Sequence, residues 1–409
     1  MDKKRLALIA IFIIICVGIG YLLYKVFFAK EKLTFTKKTP VTTTVQPGTL
    51  PTASEGGQPA ITPTKPGQLP TAPTVPTKPT IKIPGQGESY PITQAINAPV
   101  LGINTNGTNF PKFYNQTDGK FYRLDATGNV QALSDEVFYN VKNITWSPTK
   151  NESVIEYPDG SNIYFNFETK KQVTLPKHWE QFSFSPRGDK IAAKSVGLSP
   201  ENRWLITADP QGKSITMVEP MGEFADKVTV NWSPNNQIVA TSFTGEALGA
   251  DRQEVLMVGL NHENFKSLIV EGRGFQGSWS PTGEKMLYSV YSTRSNYKPE
   301  LWIVNASGDN IGTGRKMLNL NTWSSKCTFN DDRFVYCAVP QTLQTGAAFA
   351  PSVADNTPDM IYKIDTETGL KTEINLKDNH TVSSMYIGNN GKTLYFTDKN
   401  STGLFNIPL

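Results

Sequence analysis

The stretch "NWSPNNQIVATSF", residues 231–243, decides the fold, because variants of the same phrase recur along the chain. The further copies are "TWSPTKNESVIEY" (145–157), "SFSPRGDKIAAKS" (183–195), "SWSPTGEKMLYSV" (278–290) and the degenerate "TFNDDRFVYC" (328–337) and "YIGNNGKTLYFTD" (386–398). In each copy an apolar run ends at an aromatic residue, a short turn follows and a second apolar run returns. A repeat of roughly 40–55 residues built this way is typical of a four-stranded propeller blade.

A second phrase, an alternating apolar run that ends in a turn, follows each copy, and the number of its occurrences gives the number of blades. Its examples are "FYRLDATG", "IYFNFETK", "WLITADPQG", "VLMVGLNHE", "LWIVNASGD", "IYKIDTETG" and "LFNIPL". We take each as the third strand of a blade, and the first of them follows expected strands near 100–103 and 112–115. The sequence therefore predicts an all-β, seven-bladed propeller over residues 90–409, with six blades as the alternative if the first unit is only partly formed.

The last blade lacks a fourth strand of its own, because its third phrase runs to Leu409. An open sheet edge invites aggregation. The segment "YPITQAI", residues 90–96, has the pattern of a fourth strand and no other place to pair. We predict that it closes the ring by joining the last blade.

The repeated aromatic residues, such as Trp232, are predicted to pack where neighbouring blades meet, since every blade needs the same interface. The alternative is an aromatic ring that binds a ligand. The repeat resembles that of the bacterial TolB-like propellers over about residues 97–409, with "FSPRGDKIAAKS" as the best copy. This resemblance implies a propeller found in scaffold and periplasmic binding proteins and in the propeller portions of dipeptidyl-peptidase-type enzymes.

The N-terminal region predicts a membrane anchor. Residues 6–28 form one apolar run, long enough to span a bilayer, and a signal peptide would have a shorter one. We expect an uncleaved single-pass anchor with residues 1–5 inside the cell, a Pro/Thr-rich linker over 29–89 and an extracytoplasmic propeller, in the periplasm or at the cell surface. The linker has no apolar periodicity and cannot form a core.

The sequence contains no motif that indicates a particular catalytic reaction. A Gly-x-Ser-x-Gly elbow and a Walker-type phosphate loop are both missing from it. The three histidines, His178, His262 and His380, are scattered without metal-ligand spacing, and we expect them on loops or the surface. We assign no catalytic residue, metal or cofactor, and a net charge of +4 gives no reason to expect nucleic acid.

Cys327 and Cys337 flank a short predicted turn and stand nearly opposite each other on its two strands. They form either a disulfide, which an extracytoplasmic location would permit, or two buried free thiols, since a shift of one residue in the register separates them.

Insertions between second and third strands mark the candidate binding loops. They occupy 197–203, 244–254, 292–300 and 340–359, in four consecutive blades, and connections of one type lie on one face of a propeller. Loops on a rigid scaffold often carry binding residues. The candidate rim residues are Glu201, Arg203, Asp251, Arg252, Arg294, Tyr297, Lys298 and Asp359.

Together these patterns favour a membrane-anchored binding or scaffolding module for a protein, a peptide or a glycan at the cell envelope. An enzyme is less expected, and its site would lie in the central channel as a convergent set of His, carboxylate and Arg side chains. A third possibility is an accessory subunit that presents substrates to an envelope peptidase.

Overall fold

The computed structural model describes residues 17–19, 90–105, 109–246, 248–263 and 265–409. The predicted tail at 1–5 and linker up to residue 89 lie outside these residues, as does the predicted anchor apart from helical residues 17–19. Among the residues described, no helix has the length and apolar character needed to cross a membrane. The chain divides into two compact units, Met1–Lys78 and Pro79–Leu409.

Strands β1–β17 cover the first part of the second unit. They are β1 (Thr93–Ile96), β2 (Val100–Asn104), β3 (Lys112–Asn115), β4 (Lys120–Leu124), β5 (Val130–Ala132), β6 (Asn143–Trp146), β7 (Glu152–Glu156), β8 (Asn162–Asn166), β9 (Lys171–Leu175), β10 (Trp179–Phe184), β11 (Ile191–Val196), β12 (Arg203–Ala208), β13 (Thr216–Pro220), β14 (Val228–Val230), β15 (Ile238–Ser242), β16 (Gln253–Gly259) and β17 (Leu268–Val270).

Strands β18–β28 complete it. They are β18 (Arg273–Trp279), β19 (Lys285–Tyr291), β20 (Glu300–Asn305), β21 (Lys316–Met317), β22 (Cys327–Phe329), β23 (Phe334–Pro340), β24 (Asp359–Asp365), β25 (Lys371–Ile374), β26 (Val382–Gly388), β27 (Thr393–Asp398) and β28 (Leu404–Pro408). Short 3₁₀ helices lie in the connections, at Pro200–Asn202, Gly222–Lys227, Thr293–Ser295, Gly308–Asn310, Ser324–Lys326 and Pro351–Ala354.

The strands form seven four-stranded antiparallel sheets, so the propeller has seven blades and not six. Blades 1 to 6 take four consecutive strands each, from β2–β5 to β22–β25, and within each the sheet order follows the chain. Blade 7 contains β26, β27 and β28, with β1 as its fourth strand.

Ring closure by the N-terminal segment is confirmed. Strand β1 pairs antiparallel with β28, with Gln94 opposite Phe405 and Ile96 opposite Leu404. The side chain of Ile96 is buried in a cluster that also contains Leu404 and the blade 1 residue Phe113. The two ends of the propeller therefore meet in one blade, and its apolar core continues into the first.

The alternating strand directions give the propeller two distinct faces. The turn face carries the turns between first and second strands, including those that start at Ser147, Ser185, Ser233 and Ser280. The loop face carries the four insertions, at 197–203, 244–254, 292–300 and 340–359, and the connections between successive blades.

The repeated aromatic residues lie between blades, as predicted. Trp146 packs in a cluster with Phe121 of blade 1 and Phe165 of blade 2. It also donates a hydrogen bond from Nε1 to the carbonyl oxygen of Gly102, 2.5 Å away in the preceding blade. Trp279 does the same toward Asn231, at 3.1 Å. These indoles thus hold each blade against its predecessor by apolar contact and by a hydrogen bond.

The serine of the repeated phrase has the same structural role in three of the blades. Ser185, Ser233 and Ser280 are buried, and the hydroxyl oxygen of each accepts a hydrogen bond from the backbone N–H five residues later, at 3.1, 2.9 and 3.1 Å. The hydroxyl therefore closes the turn from inside. Ser147 is equally buried, yet its hydroxyl has no hydrogen-bond partner among the described residues.

This difference predicts unequal effects of removing the hydroxyl. Ser233→Ala leaves the N–H of Ile238 without its side-chain acceptor, while the N–H of Gln237 keeps Asn235, so we expect the free energy of unfolding to fall by about 1–3 kcal/mol. Ser147→Ala removes no such bond and serves as the matched control, with an expected change below about 1 kcal/mol. Urea unfolding of the full chain measures both. Equal losses would mean that the serine acts by packing alone.

Candidate functional site

The insertions of blades 4 and 5 are joined on the loop face. The carboxylate of Asp251 accepts hydrogen bonds from the backbone N–H of Thr293, at 3.1 Å, and from its hydroxyl. These bonds hold the pKa of Asp251 below its ordinary value. Arg273, at the start of β18, donates from Nε to the carbonyl oxygen of Ala250 at 2.8 Å. The predicted rim residue Asp251 is therefore a link between two blades.

The insertion of blade 6 reaches over blade 5. The backbone N–H of Gly346 donates to Asn296 at 2.9 Å, and that of Ala348 donates to Tyr297 at 3.0 Å. The ring of Phe349 lies 5.2 Å from that of Tyr297 and 4.8 Å from that of Tyr291, measured between centroids. Three neighbouring insertions thus form one connected surface, and Phe349 remains 61% exposed on it.

Most other predicted rim residues make contacts within or next to their own loops. Glu201 is exposed, while Arg203 donates from Nε to Gly197 at 3.1 Å and braces its own insertion. The guanidinium of Arg252 lies 3.6 Å from the carboxylate of Glu271.

The same holds in blade 5. Arg294 pairs with Glu300 at 2.8 Å, and this partner raises the pKa of Arg294. Lys298, two residues before Glu300 in the chain, is half-buried. The exposed polar groups of the rim are consequently held in fixed positions by short-range partners.

Asp359 lies elsewhere than the sequence predicts. It is the first residue of β24 rather than part of the loop, and it is buried. Both of its carboxylate oxygens are 2.7 Å from Nζ of Lys326, and one accepts the N–H of Val382 at 2.7 Å. Burial raises the pKa of Asp359 and lowers the pKa of Lys326. Asp359 therefore joins blades 6 and 7 from within, because it lies in β24 of blade 6 and accepts a hydrogen bond from the N–H of Val382, the first residue of β26 in blade 7.

A second buried polar pair, formed by His380 and Asp398, lies in blade 7, and the sequence did not predict it. Nδ1 of His380 lies 2.9 Å from the carboxylate of Asp398, and the imidazole packs 5.1 Å from the rings of Phe396 and Phe405. His178 and His262 are exposed as expected, but His380 is buried, because the segment that leads into β26 folds against blade 7. Within the described ranges, no three His, Cys, Asp or Glu side chains are grouped as a metal ion requires.

Exposed apolar side chains concentrate on the loop face. Twelve large apolar residues of the described propeller are exposed. Seven of these lie in loop-face connections: Val137, Tyr139, Leu198, Phe224, Tyr297, Phe349 and Val353. The other five lie in or beside the outermost strands: Tyr90, Val130, Ile215, Met217 and Leu370. Of these seven, sequence reasoning selected only Tyr297 for the rim and otherwise chose charged residues, although the apolar run "AAFAPSV" within the longest insertion could have indicated Phe349.

The central channel opens on the turn face into a cavity of about 960 Å³. Blades 2 to 7 each contribute one aromatic residue to its lining: Trp146, Phe184, Trp232, Trp279, Phe329 and Tyr386. The rest of the described lining is mainly Ser, Thr, Asn, Pro and Gly, and no described lining residue is His, Asp, Glu, Lys or Arg. The cavity therefore presents neutral hydrogen-bonding groups and the edges of aromatic rings.

Cys327 and Cys337 stand directly opposite each other on β22 and β23, and their sulfur atoms are joined in a disulfide. Cys337 is fully buried, whereas Cys327 is half-buried and borders the channel cavity. The disulfide thus connects the innermost strand of blade 6 to its neighbour at the channel wall.

No protein-family model matches this chain, and no curated protein matches it. Solved structures do. An oligogalacturonate lyase in complex with manganese has 13% identity and a TM-score of 0.54, covering 78% of this chain and 93% of its own. An oligogalacturonate lyase from Vibrio parahaemolyticus has 11% identity, the same coverages and the same TM-score.

The tricorn protease is a third similar structure, with 11% identity and a TM-score of 0.49 over 80% of this chain. This chain spans only 34% of the protease. Identities this low show the fold alone. The two lyases, whose TM-scores exceed 0.5, therefore support the propeller fold, and the TolB-like family remains a resemblance of the repeat.

Proposed function

We infer that this protein is a binding or scaffolding module whose loop face docks a protein partner. The observation that carries the proposal is the collection of exposed apolar side chains on that face, with Phe349 and Tyr139 among the most exposed. Large aromatic residues held on rigid loops are common anchors of protein interfaces. The loops are held by bonds between blades, such as that from Thr293 to Asp251, so little ordering is needed on binding.

The proposal places the propeller outside the cytoplasm, on a membrane anchor formed by residues 6–28. The apolar run there and the Pro/Thr-rich linker at 29–89 support display at a distance from the bilayer. The disulfide between Cys327 and Cys337 suits an oxidising compartment. A scaffold or the accessory subunit of an envelope peptidase would use the same face.

Photo-cross-linking in intact cells tests this function. A photoreactive phenylalanine analogue at position 349 or 139 should trap one defined partner, whereas the same analogue at Val130, exposed on the outer strand β5 of blade 1, should trap none. Adding Phe349→Asp should lower the adduct at position 139 by about tenfold or more, because an apolar anchor becomes charged. Equal adducts at all three positions would contradict the proposal.

The same cells test the display. With a tag after Leu409, protease added before lysis should remove the tag if the propeller is at the cell surface. If it is periplasmic, the tag should be lost once the outer membrane is permeabilised. Protection until the inner membrane is opened would show that the propeller is cytoplasmic.

A further inference from the structure

Blade 4 has an incomplete fourth strand. Strand β16 contains seven residues, but β17 pairs only with the first three, from Gln253 opposite Val270 to Val255 opposite Leu268. Residues 256–259 pair with β15 on their inner side, and nothing in the described part of the chain pairs with their outer side. In blade 2, by contrast, all five residues of β8 pair with β9. With respect to the described residues, blade 4 therefore has an open sheet edge of four residues.

A cavity of about 580 Å³ lies against this open edge, in the cleft between blades 3 and 4. Residues 256–259 form one wall. The opposite side is lined by apolar residues of blade 3 and of the connection into blade 4, including Leu205, Pro220, Met221 and Phe224. Space, apolar lining and unpaired backbone groups thus coincide in one place.

The rim of the cleft is acidic. Glu219 is about half exposed, and the side chain with which it forms a close pair is the exposed imidazole of His262, 3.6 Å away. The carboxylate of Glu263 also borders the cleft and accepts hydrogen bonds from Asn261 at 2.7 and 2.8 Å. Lys227, in the segment between blades 3 and 4, pairs with Asp226 at 3.0 Å, and Lys266, three residues after Glu263, donates to the carbonyl oxygen of Asp309 at 2.7 Å. A cationic side chain placed at this rim would meet a carboxylate that lacks a strong partner.

We propose that this cleft binds an extended peptide by strand addition. The peptide pairs with residues 256–259 and fills the place that a longer β17 would occupy. Main-chain hydrogen bonds supply affinity that does not depend on sequence, and the cleft selects side chains. Because successive side chains of a strand point to opposite sides, every second side chain of the peptide faces the cleft. These side chains are apolar where they enter the cleft and basic at the end that reaches Glu219. The site does not depend on the loop-face partner.

Binding of a synthetic peptide to the full chain tests the proposal. The probe, called the Val/Lys peptide, is a fluorescent peptide in which every second residue is Val, except for a Lys at the first and last of these positions, with Ser between them. Its binding is measured by anisotropy in mild detergent, with micelles alone as the blank. Two comparison peptides separate the contribution of main-chain hydrogen bonds from that of charge. One carries N-methyl groups on alternate backbone nitrogens, and the other has Glu in place of Lys. We expect each to bind about tenfold more weakly or worse, because the first loses donors and the second loses the charge match.

A pair of charge reversals locates the site. Glu219→Lys should weaken binding of the Val/Lys peptide by about tenfold. Glu373→Lys is the matched control, since Glu373 is exposed on β25, which is paired along its length, and it should leave binding unchanged. Bound peptide should also slow hydrogen exchange at residues 256–259. Undiminished binding of the N-methylated peptide, or equal effects of the two reversals, would overturn the proposal.

Discussion

A chain that starts at residue 98 is expected to lose cooperative unfolding, whereas one that starts at residue 90 keeps it. The shorter chain lacks β1, so β28 becomes an open edge and the core loses Ile96, which is 7% exposed. Removing a buried side chain of this size alone costs about 2–5 kcal/mol, and the ladder with β28 is lost as well. Since whole domains are stable by about 5–15 kcal/mol, this deletion should be among the most damaging.

Thermal unfolding and size-exclusion chromatography of the two chains check this expectation. Both lack the predicted anchor and linker, so they differ only in the segment that closes the ring. We expect the chain without β1 to aggregate through its free edge. Equal midpoints and equal elution would mean that the other strands hold the ring closed without β1.

Breaking the buried pair of Lys326 and Asp359 should produce the other large effect. Either Lys326→Met or Asp359→Asn leaves the opposite group buried without its ionic partner, at a cost of about 3–5 kcal/mol. The double substitution removes both charges and keeps an acceptor for the N–H of Val382. Burial moves the pKa of Asp359 up and that of Lys326 down, so desolvation opposes both charges. We therefore expect the double variant to recover most of the lost stability.

The pH dependence has a definite sign. In Asp359→Asn, Lys326 remains buried and its pKa, already lowered by burial, falls further without the carboxylate. A lysine with a depressed folded pKa costs stability below that pKa, and the cost fades as the pH rises and the proton leaves. The deficit of this variant should therefore be smaller at about pH 9 than at about pH 6. Urea unfolding at both values measures it, and a deficit that grows with pH would refute the assignment of the charge.

The candidate site was predictable in its position but not in its composition. Long insertions between second and third strands must lie on one face, because strand direction alternates, and the structure has those insertions between the corresponding strands. Whether a residue of an insertion is exposed depends on partners distant in sequence. Asp359 meets Lys326, 33 residues earlier in the chain, and this contact turns a predicted rim residue into an internal ion pair.

The open edge of blade 4 shows the same limit. The phrase "VLMVGLNHE" predicts a third strand, and β16 contains its first five residues. The pattern does not say how far the next strand extends along it. That length depends on where the connection from Leu260 to Ser267 folds, and Phe265 of this connection packs on the core between blades 4 and 5. The ring of Phe265 also borders the cleft beside blade 3.

The sequence by itself determined the number of blades, their internal order and the closure of the ring. These features are local or periodic, since each blade repeats one pattern of apolar runs and turns. The run at 90–96 could pair only with the last blade, which lacks a fourth strand of its own. Only the tertiary structure decided which charges are paired, which apolar side chains reach the loop face and where a sheet edge stays open. Those outcomes depend on register and on contacts between distant segments, which local patterns do not specify.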